Sequence, residues 1–156
     1  GEVTTIISGL DHLEGETVCV LSNGNVVKEL TVSSGSIELP RAAEVVHVGL
    51  PYECDIETLG VDSAQSPSLG FRKNISEVAI NVLNSRGGFV GPDSDNLVEI
   101  KPRFDADGYD TIKLRTFEQR VTISPEWNDN GKIFIRQSAP LPMSILSITP
   151  ELDLGK

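Results

Sequence analysis

The sequence predicts an all-β fold, with a small N-terminal β-barrel followed by a second antiparallel, β-sandwich-like domain. Apolar residues alternate with polar ones in several short runs, and no long run has helical periodicity. Turn signals separate these runs at short spacing. Aromatic residues make up only 5% of the 156 residues, so the core must rest on Val, Ile and Leu, which favour strands.

The predicted strands follow one another along the chain. Residues 3–7 and 17–21 form the first pair, and in the second of these Val18 and Val20 share a face. The later alternating runs are residues 75–82, 120–124 and 132–137. Turn signals lie between the runs, at residues 22–24, 34–35, 86–88, 91–92, 107–108 and 128–131.

The composition changes near residue 61. Residues 1–60 hold ten acids and two bases, a net charge of −8, whereas residues 61–156 hold thirteen acids and eleven bases, a net charge of −2. The intervening stretch is rich in Ser, Pro and Gly and does not alternate. We therefore predict an acidic barrel domain over residues 1–60, a linker over 61–74 and an antiparallel β domain over 75–156.

The charge excludes some classes of partner. An acidic first domain repels phosphate, so we expect no specific nucleic-acid binding and no binding to an anionic membrane. No apolar run approaches the ~18 residues of a membrane span, and no signal peptide is visible. Residue 1 is Gly and the only methionine is Met143, so we expect the chain to be a piece of a longer protein.

The acidic segment at residues 11–16, Asp-His-Leu-Glu-Gly-Glu, is the first candidate site. The simplest interpretation is a polar turn between two strands, with Leu10 and Leu13 beneath it. A metal site would need His12 and the carboxylates to converge on one ion, and transition metals usually need more than one imidazole. The other histidine, His47, lies inside a strand-like run and is expected to be structural.

Two further acidic loops are the next candidate sites. Residues 105–110 begin like a calcium loop but have no glutamate at the twelfth position, and residues 91–96 combine Asp and Asn with Gly. The same residue types are typical of tight turns. We favour turns at both places and keep calcium as the alternative.

Catalytic motifs are missing from the sequence. It has no GxSxG motif, no phosphate-binding glycine motif, and no cysteine in a recognisable pattern with histidine. A glycosidase carboxylate pair has no sequence spacing, so that alternative stays open. We predict that the chain is not an enzyme and has no catalytic residue, cofactor or metal.

Two buried thiols are favoured for Cys19 and Cys54, and whether they pair stays open.

Trp127 and Tyr109 each lie beside a turn signal. Exposed aromatic rings near turns can stack on sugars, although a lone Trp more often caps a hairpin or fills a core. These two residues support the alternative function, a carbohydrate-binding or adhesion module.

Four segments together resemble the C-terminal part of a phage protein family. They are SGLDHLEGETVCVLSNGNVV, VVHVGLPYECDIETL, KNISEVAINVLNSRGGFVGPDSDNLVEI and KIFIRQSAPLPMSILSITPELDLG, at about residues 8–27, 45–59, 73–100 and 132–155. The family is the tail tubular protein B, or tail nozzle (stabilisation), group of short-tailed phages. The first ~60 residues are also similar to a small barrel inserted in ubiquitin-activating enzymes, a likeness of fold alone.

The resemblance implies a structural role in the virion tail of a phage or prophage, in a protein made in the cytoplasm of the host bacterium. Members form a homo-oligomeric ring at the end of the tail tube, so the implied partners are other tail subunits, with DNA passing through. No catalytic residue carries over from the family. The segment at residues 139–143, rich in proline, and the loop at residues 87–96 are our candidate subunit contacts, and the acidic domain is a candidate channel wall.

Overall fold

The computed structural model describes residues 3–60, 72–101, 113–123 and 131–155. Within these residues every regular element is a β-strand, apart from one turn of 3-10 helix at Asp11–Leu13. The all-β prediction is therefore confirmed. The chain divides into two compact units. Of the described residues, the first unit contains 3–52 and 138–140, and the second contains 53–60, 72–101, 113–123, 131–137 and 141–155.

The first unit is built from five short strands. They are β1 (Thr4–Ser8), β2 (Thr17–Ser22), β3 (Asn25–Thr31), β4 (Ser36–Ala43) and β5 (Val46–Gly49). β1 pairs with β4, and β2 lies between β3 and β5, with all neighbours antiparallel. Val18 and Val20 are both completely buried, as the alternating pattern of β2 predicts.

The predicted barrel is not confirmed, because neither sheet of the first unit closes on itself. In the part of this unit that the structure describes, no strand ladder joins β4 to β3 or β1 to β5. The β1–β4 ladder is also interrupted. Thr4 pairs with Ala43, whereas Ile6, two residues further on, pairs with Glu38. Residues 39–42 thus have no partner on β1, and a barrel needs a continuous ladder around its wall.

Two tight turns predicted from the sequence are present in the first unit. Asn23 and Gly24 have φ angles of 46° and 76°, and Ser34 and Gly35 have φ angles of 53° and 63°. Positive φ at both central residues is what a two-residue type I′ hairpin turn requires, and Asn-Gly is the preferred pair. The core beneath these turns consists of Leu10, Val18, Val20, Val32, Ile37, Leu39 and Ala43.

The second unit contains two antiparallel sheets. Its strands are β6 (Cys54–Glu57), β7 (Arg72–Ser85), β8 (Phe89–Gly91), β9 (Val98–Glu99), β10 (Arg115–Thr122), β11 (Phe134–Gln137) and β12 (Ile145–Gly155). One sheet has the order β10-β7-β12 and the other β6-β11-β8-β9. Side chains from both sheets form one core, which consists of Ile75, Val78, Ile80, Val82, Val90, Ile100, Val121, Ile123, Ile133 and Ile135. The two sheets therefore bury side chains in a common core.

The central strand of this unit is β7, and it is longer than predicted. The alternation seen over residues 75–82 is confirmed, since Val78, Ile80 and Val82 are all buried. The strand begins at Arg72, inside the predicted linker, because its N-terminal residues pair with the end of β12. Residues 61–71, the rest of that linker, lie outside the described residues.

The predicted strands near the C-terminus are present with shifted bounds. The run over 120–124 belongs to β10, which starts earlier, at Arg115, and the run over 132–137 contains β11. β6, which the sequence-based division placed in the first domain, pairs with β11 of the second unit. The three predicted domain ranges themselves remain predictions.

Candidate functional site

The acidic segment at residues 11–16 is a turn, as predicted. Asp11–Leu13 forms one turn of 3-10 helix between β1 and β2. Leu10 is buried in the core of the first unit and Leu13 packs against that core. The apolar residues of the segment therefore anchor it, while its polar side chains remain at the surface.

Glu14 joins this turn to the Ser34–Gly35 hairpin. One carboxylate oxygen accepts a hydrogen bond from the Ser34 N–H at 2.9 Å, and the other accepts one from the Gly35 N–H at 2.7 Å. We call this arrangement the Glu14 latch. The bond from Gly35, and after it that from Ser34, holds the pKa of Glu14 below its ordinary value, because both stabilise the charged carboxylate. Both oxygens are thus occupied by backbone donors.

The side chain of Asp11 lies close to Gly35. A Cβ added there would overlap the Asp11 carboxylate, and the residue has a positive φ. The positive φ favours glycine at this position, whereas the Asp11 carboxylate is the end of an exposed side chain that can move aside. His12 is exposed, and His47 is exposed on β5. Among the described residues, no group of three His, Cys, Asp or Glu side chains is arranged to hold a metal ion.

The loop at residues 91–96 is also a turn held by an aspartate. Asp93 Oδ1 accepts hydrogen bonds from the backbone N–H groups of Asp95 at 2.8 Å and Asn96 at 2.9 Å. The Asn96 side-chain amide donates to both oxygens of the same carboxylate. The pKa of Asp93 is lowered by the side chain of Asn96 and then by the backbone N–H of Asp95. The turn prediction is confirmed here, while residues 105–110 lie outside the described residues.

An ion-pair ladder between β6 and β11 was not predicted. Arg136 makes two hydrogen bonds of 2.8 Å to the two oxygens of Asp55, and Lys132 binds Glu57 at 2.7 Å. The two-fold contact lowers the pKa of Asp55 and raises that of Arg136. The guanidinium also lies 5.5 Å from the ring centre of Phe134. This ladder fixes β6 at the edge of its sheet.

The sequence contained part of the signal for that ladder. Lys132 and Arg136 are four residues apart and point to one face of a strand, as do Asp55 and Glu57, two residues apart. Opposite charges on facing strands stabilise a pairing. What the sequence could not show is that these two distant segments are neighbours.

Both cysteines are free thiols. Cys19 is partly exposed and Cys54 is exposed, so the expectation of two buried thiols is wrong. Cys54 is the first residue of β6, an edge strand whose four residues are all exposed.

Of the candidate subunit contacts, residues 141–143 and the loop at residues 87–96 belong to the second unit, whereas residues 139–140 belong to the first. Pro142 accepts a hydrogen bond from the Arg86 N–H at 3.0 Å, and Met143 packs against the core. Within the loop at residues 87–96, Phe89–Gly91 is the strand β8, with Val90 completely buried. The exposed part of this loop is therefore shorter than predicted.

The described residues of the first unit line at least two surface cavities. One of about 390 Å³ is lined by polar residues that include Ser22, Asn25 and Arg41. The other, of about 200 Å³, is lined by His47, Pro51 and other residues of the unit, including Tyr52. Tyr52 is 74% exposed and was not singled out from the sequence.

Trp127 and Tyr109, the two aromatic candidates, lie outside the described residues. No helix in the described part of the chain is both long and apolar enough to cross a lipid bilayer. In comparisons with known proteins, no family model and no curated protein matches this sequence.

Proposed function

We propose that this chain is a structural module of a phage or prophage tail, a nozzle or tail-tube component that acts through contacts between subunits and carries out no chemistry. The segments that resemble the tail nozzle family support this assignment. In the full-length protein the partners are other tail subunits in a homo-oligomeric ring, and DNA passes through it without specific binding.

The observation that carries the proposal is the set of large apolar side chains left exposed in both units. Those with more than half of their surface exposed are Val3, Ile6, Val45, Leu50, Tyr52, Leu59 and Leu146. Apolar and aromatic surface is what protein interfaces bury. The polar candidates, by contrast, are occupied within the chain, since the carboxylates of Glu14, Asp55 and Asp93 all hold backbone or side-chain donors.

Labelling of virions tests the proposal. Antibodies raised against this chain should bind the distal end of tails in immunogold electron microscopy of particles from the source phage or lysogen. Deletion of the gene should leave particles without functional tails. Abundant protein that never co-purifies with tails, together with normal tails after deletion, would contradict the assignment.

The acidic residues of the first unit support a more specific role. Asp11, Glu16, Glu29, Glu38 and Glu44 are all exposed. Placed on a channel wall, these charges would repel the DNA backbone and let it slide. A reconstruction of the assembled tail tests this placement. Acidic residues that face only the outside of the tail would contradict it.

A carbohydrate-binding or adhesion module is the second candidate function. Tyr52 favours it, because its ring is largely exposed beside the 200 Å³ cavity that it shares with His47 and Pro51. An exposed aromatic ring beside polar groups can stack on a sugar. Glycan-array binding that is lost in Tyr52→Ala would support this function, and no binding to any glycan would exclude it.

A further inference from the structure

β1 differs from every other edge strand in the described residues. Its five residues, Thr-Thr-Ile-Ile-Ser, include no charged or titratable side chain and no proline. Each of the other edge strands, β3, β4, β5, β6, β9, β10 and β12, carries at least one charged or titratable side chain. Such side chains prevent edge-to-edge pairing, so β1 alone is left open to it.

On β1, the backbone N–H and carbonyl of Ile6 are hydrogen-bonded to the side chain of Thr4 in the same strand. The hydroxyl of Thr4 accepts a hydrogen bond from the Ile6 N–H at 3.2 Å and donates one to the Ile6 carbonyl at 3.1 Å. Ile6 is 60% exposed, as is Val3 just before the strand. A second strand beside β1 would replace the bonds to the Thr4 hydroxyl with a ladder of backbone hydrogen bonds. It would also cover these apolar side chains.

We propose that β1 pairs with β1 of a second copy of this chain, antiparallel and centred on Ile6. In that register Ile6 faces Ile6 of the second copy, and Thr4 faces Ser8. Facing β-branched residues and facing hydroxyl residues are both favourable cross-strand pairs, so the strand is complementary to itself. The two-stranded sheet β1–β4 becomes a four-stranded sheet, β4-β1-β1-β4.

The negative charge of the chain does not prevent this contact. The nearest exposed acid on the same sheet is Glu38, which pairs with Ile6 across β1 and β4. In the four-stranded sheet the two Glu38 residues are three strand spacings apart, about 14 Å. Since the Debye length is about 8 Å at physiological ionic strength, their repulsion is largely screened. Added salt should therefore strengthen the pairing.

This contact goes beyond the proposed tail function. A two-fold contact closes at two copies and does not by itself make a ring. A monomeric chain that still labels tails would overturn only the dimer, and a dimer in a chain that is never found in tails would overturn only the tail assignment.

Sedimentation equilibrium of the 156-residue chain tests the pairing. We expect a dimer at about 100 µM that strengthens between about 50 and about 500 mM salt. Ile6→Lys places two like charges opposite each other and should raise the dissociation constant about tenfold or more. Val45→Lys, a matched change at a similarly exposed residue outside β1, should leave it unchanged.

Cross-linking tests the register without relying on Ile6→Lys. In a Cys19→Ser, Cys54→Ser background, Ile6→Cys should form an intermolecular disulfide under mild oxidation, because facing Cα atoms are about 5.5 Å apart. Thr5→Cys should not, because its Cα atoms would be about 8 Å apart in this register. A monomer at all concentrations, a dimer that Val45→Lys disrupts instead, association that weakens with salt, or equal cross-linking at both positions would each overturn the proposal.

Discussion

The two units of this chain stabilise their strands in different ways. In the second unit, the fourteen-residue strand β7 has neighbours on both sides, and ten buried apolar residues form the core. In the first unit, the longest described strand has eight residues and the core has seven. Since the hydrophobic contribution scales with buried apolar area, the first unit has less of it to set its register.

The first unit compensates with hydrogen bonds at its turns. The Glu14 latch holds the hairpin at Ser34 and Gly35, and Asn23 Oδ1 accepts the N–H groups of Glu44 and Val45, both at 3.1 Å. Each bond connects segments about twenty residues apart in sequence. In the smaller unit, hydrogen bonds from turn residues hold distant segments in register, and in the larger unit the buried core has this role.

The largest expected loss of stability comes from a substitution in the core of the second unit. Ile80 is 1% exposed at the middle of β7, so Ile80→Ala should lower the free energy of unfolding by about 2–5 kcal/mol through lost burial and a cavity. Urea denaturation followed by circular dichroism measures it. Leu146→Ala, at a 60% exposed position on β12, is the control and should change stability by no more than about 0.5 kcal/mol.

A smaller effect is expected from Gly91 of the second unit, with Gly49 of the first unit as the matched control. A Cβ at Gly91 would overlap the carbonyl oxygen of Asn96, so Gly91→Ala must displace the loop backbone and should cost about 1–3 kcal/mol. Gly49, at the end of β5, has open space around its Cα, so Gly49→Ala should be close to neutral. Thermal unfolding of the two variants checks the difference. Equal effects would mean that the 91–96 loop adjusts without cost.

The ion-pair ladder on β6 and β11 should give a smaller effect than Gly91→Ala, because its members are partly exposed. Arg136→Lys keeps the charge but cannot bond both oxygens of Asp55, so it should lower the urea midpoint. A double-mutant cycle with Asp55→Asn should show a favourable coupling that declines with salt. Coupling of zero would mean that the ladder does not stabilise the pairing.

Local patterns were predictable from the sequence where a single segment contains its own signal. The alternation of β2 and β7 and the Asn23–Gly24 turn are examples, because period two and positive φ depend on adjacent residues. The turn at residues 11–16 was predicted for the same reason. The Glu14 latch was not, since its acceptor and donors are about twenty residues apart.

Local patterns could not predict whether a sheet closes or which strands belong to it. The barrel prediction is not confirmed, because strand count says nothing about whether β4 keeps its register with β1, and the ladder skips residues 39–42. β6 was placed with the strands before it, but its Asp55 pairs with Arg136 of β11 and its Glu57 with Lys132, two residues before β11. Long-range pairing depends on partners that no local pattern identifies.

The smallest expected effect is the pH dependence of the stability that the Glu14 latch contributes. The folded-state pKa of Glu14 is lowered, so between its folded and ordinary values the unfolded chain binds more protons. The stabilisation is then fully present above the ordinary pKa and is lost as the pH falls through the lowered folded value. Wild type should be more stable than Glu14→Gln at about pH 6, and the difference should shrink towards about pH 3.

Glu16→Gln, two residues away and outside the latch, is the control. In urea denaturation at each pH, its difference from wild type should show no such convergence. A difference between wild type and Glu14→Gln that stays constant with pH would show that neutral and charged Glu14 side chains hold the Ser34–Gly35 turn equally well, and would contradict a role for the carboxylate charge.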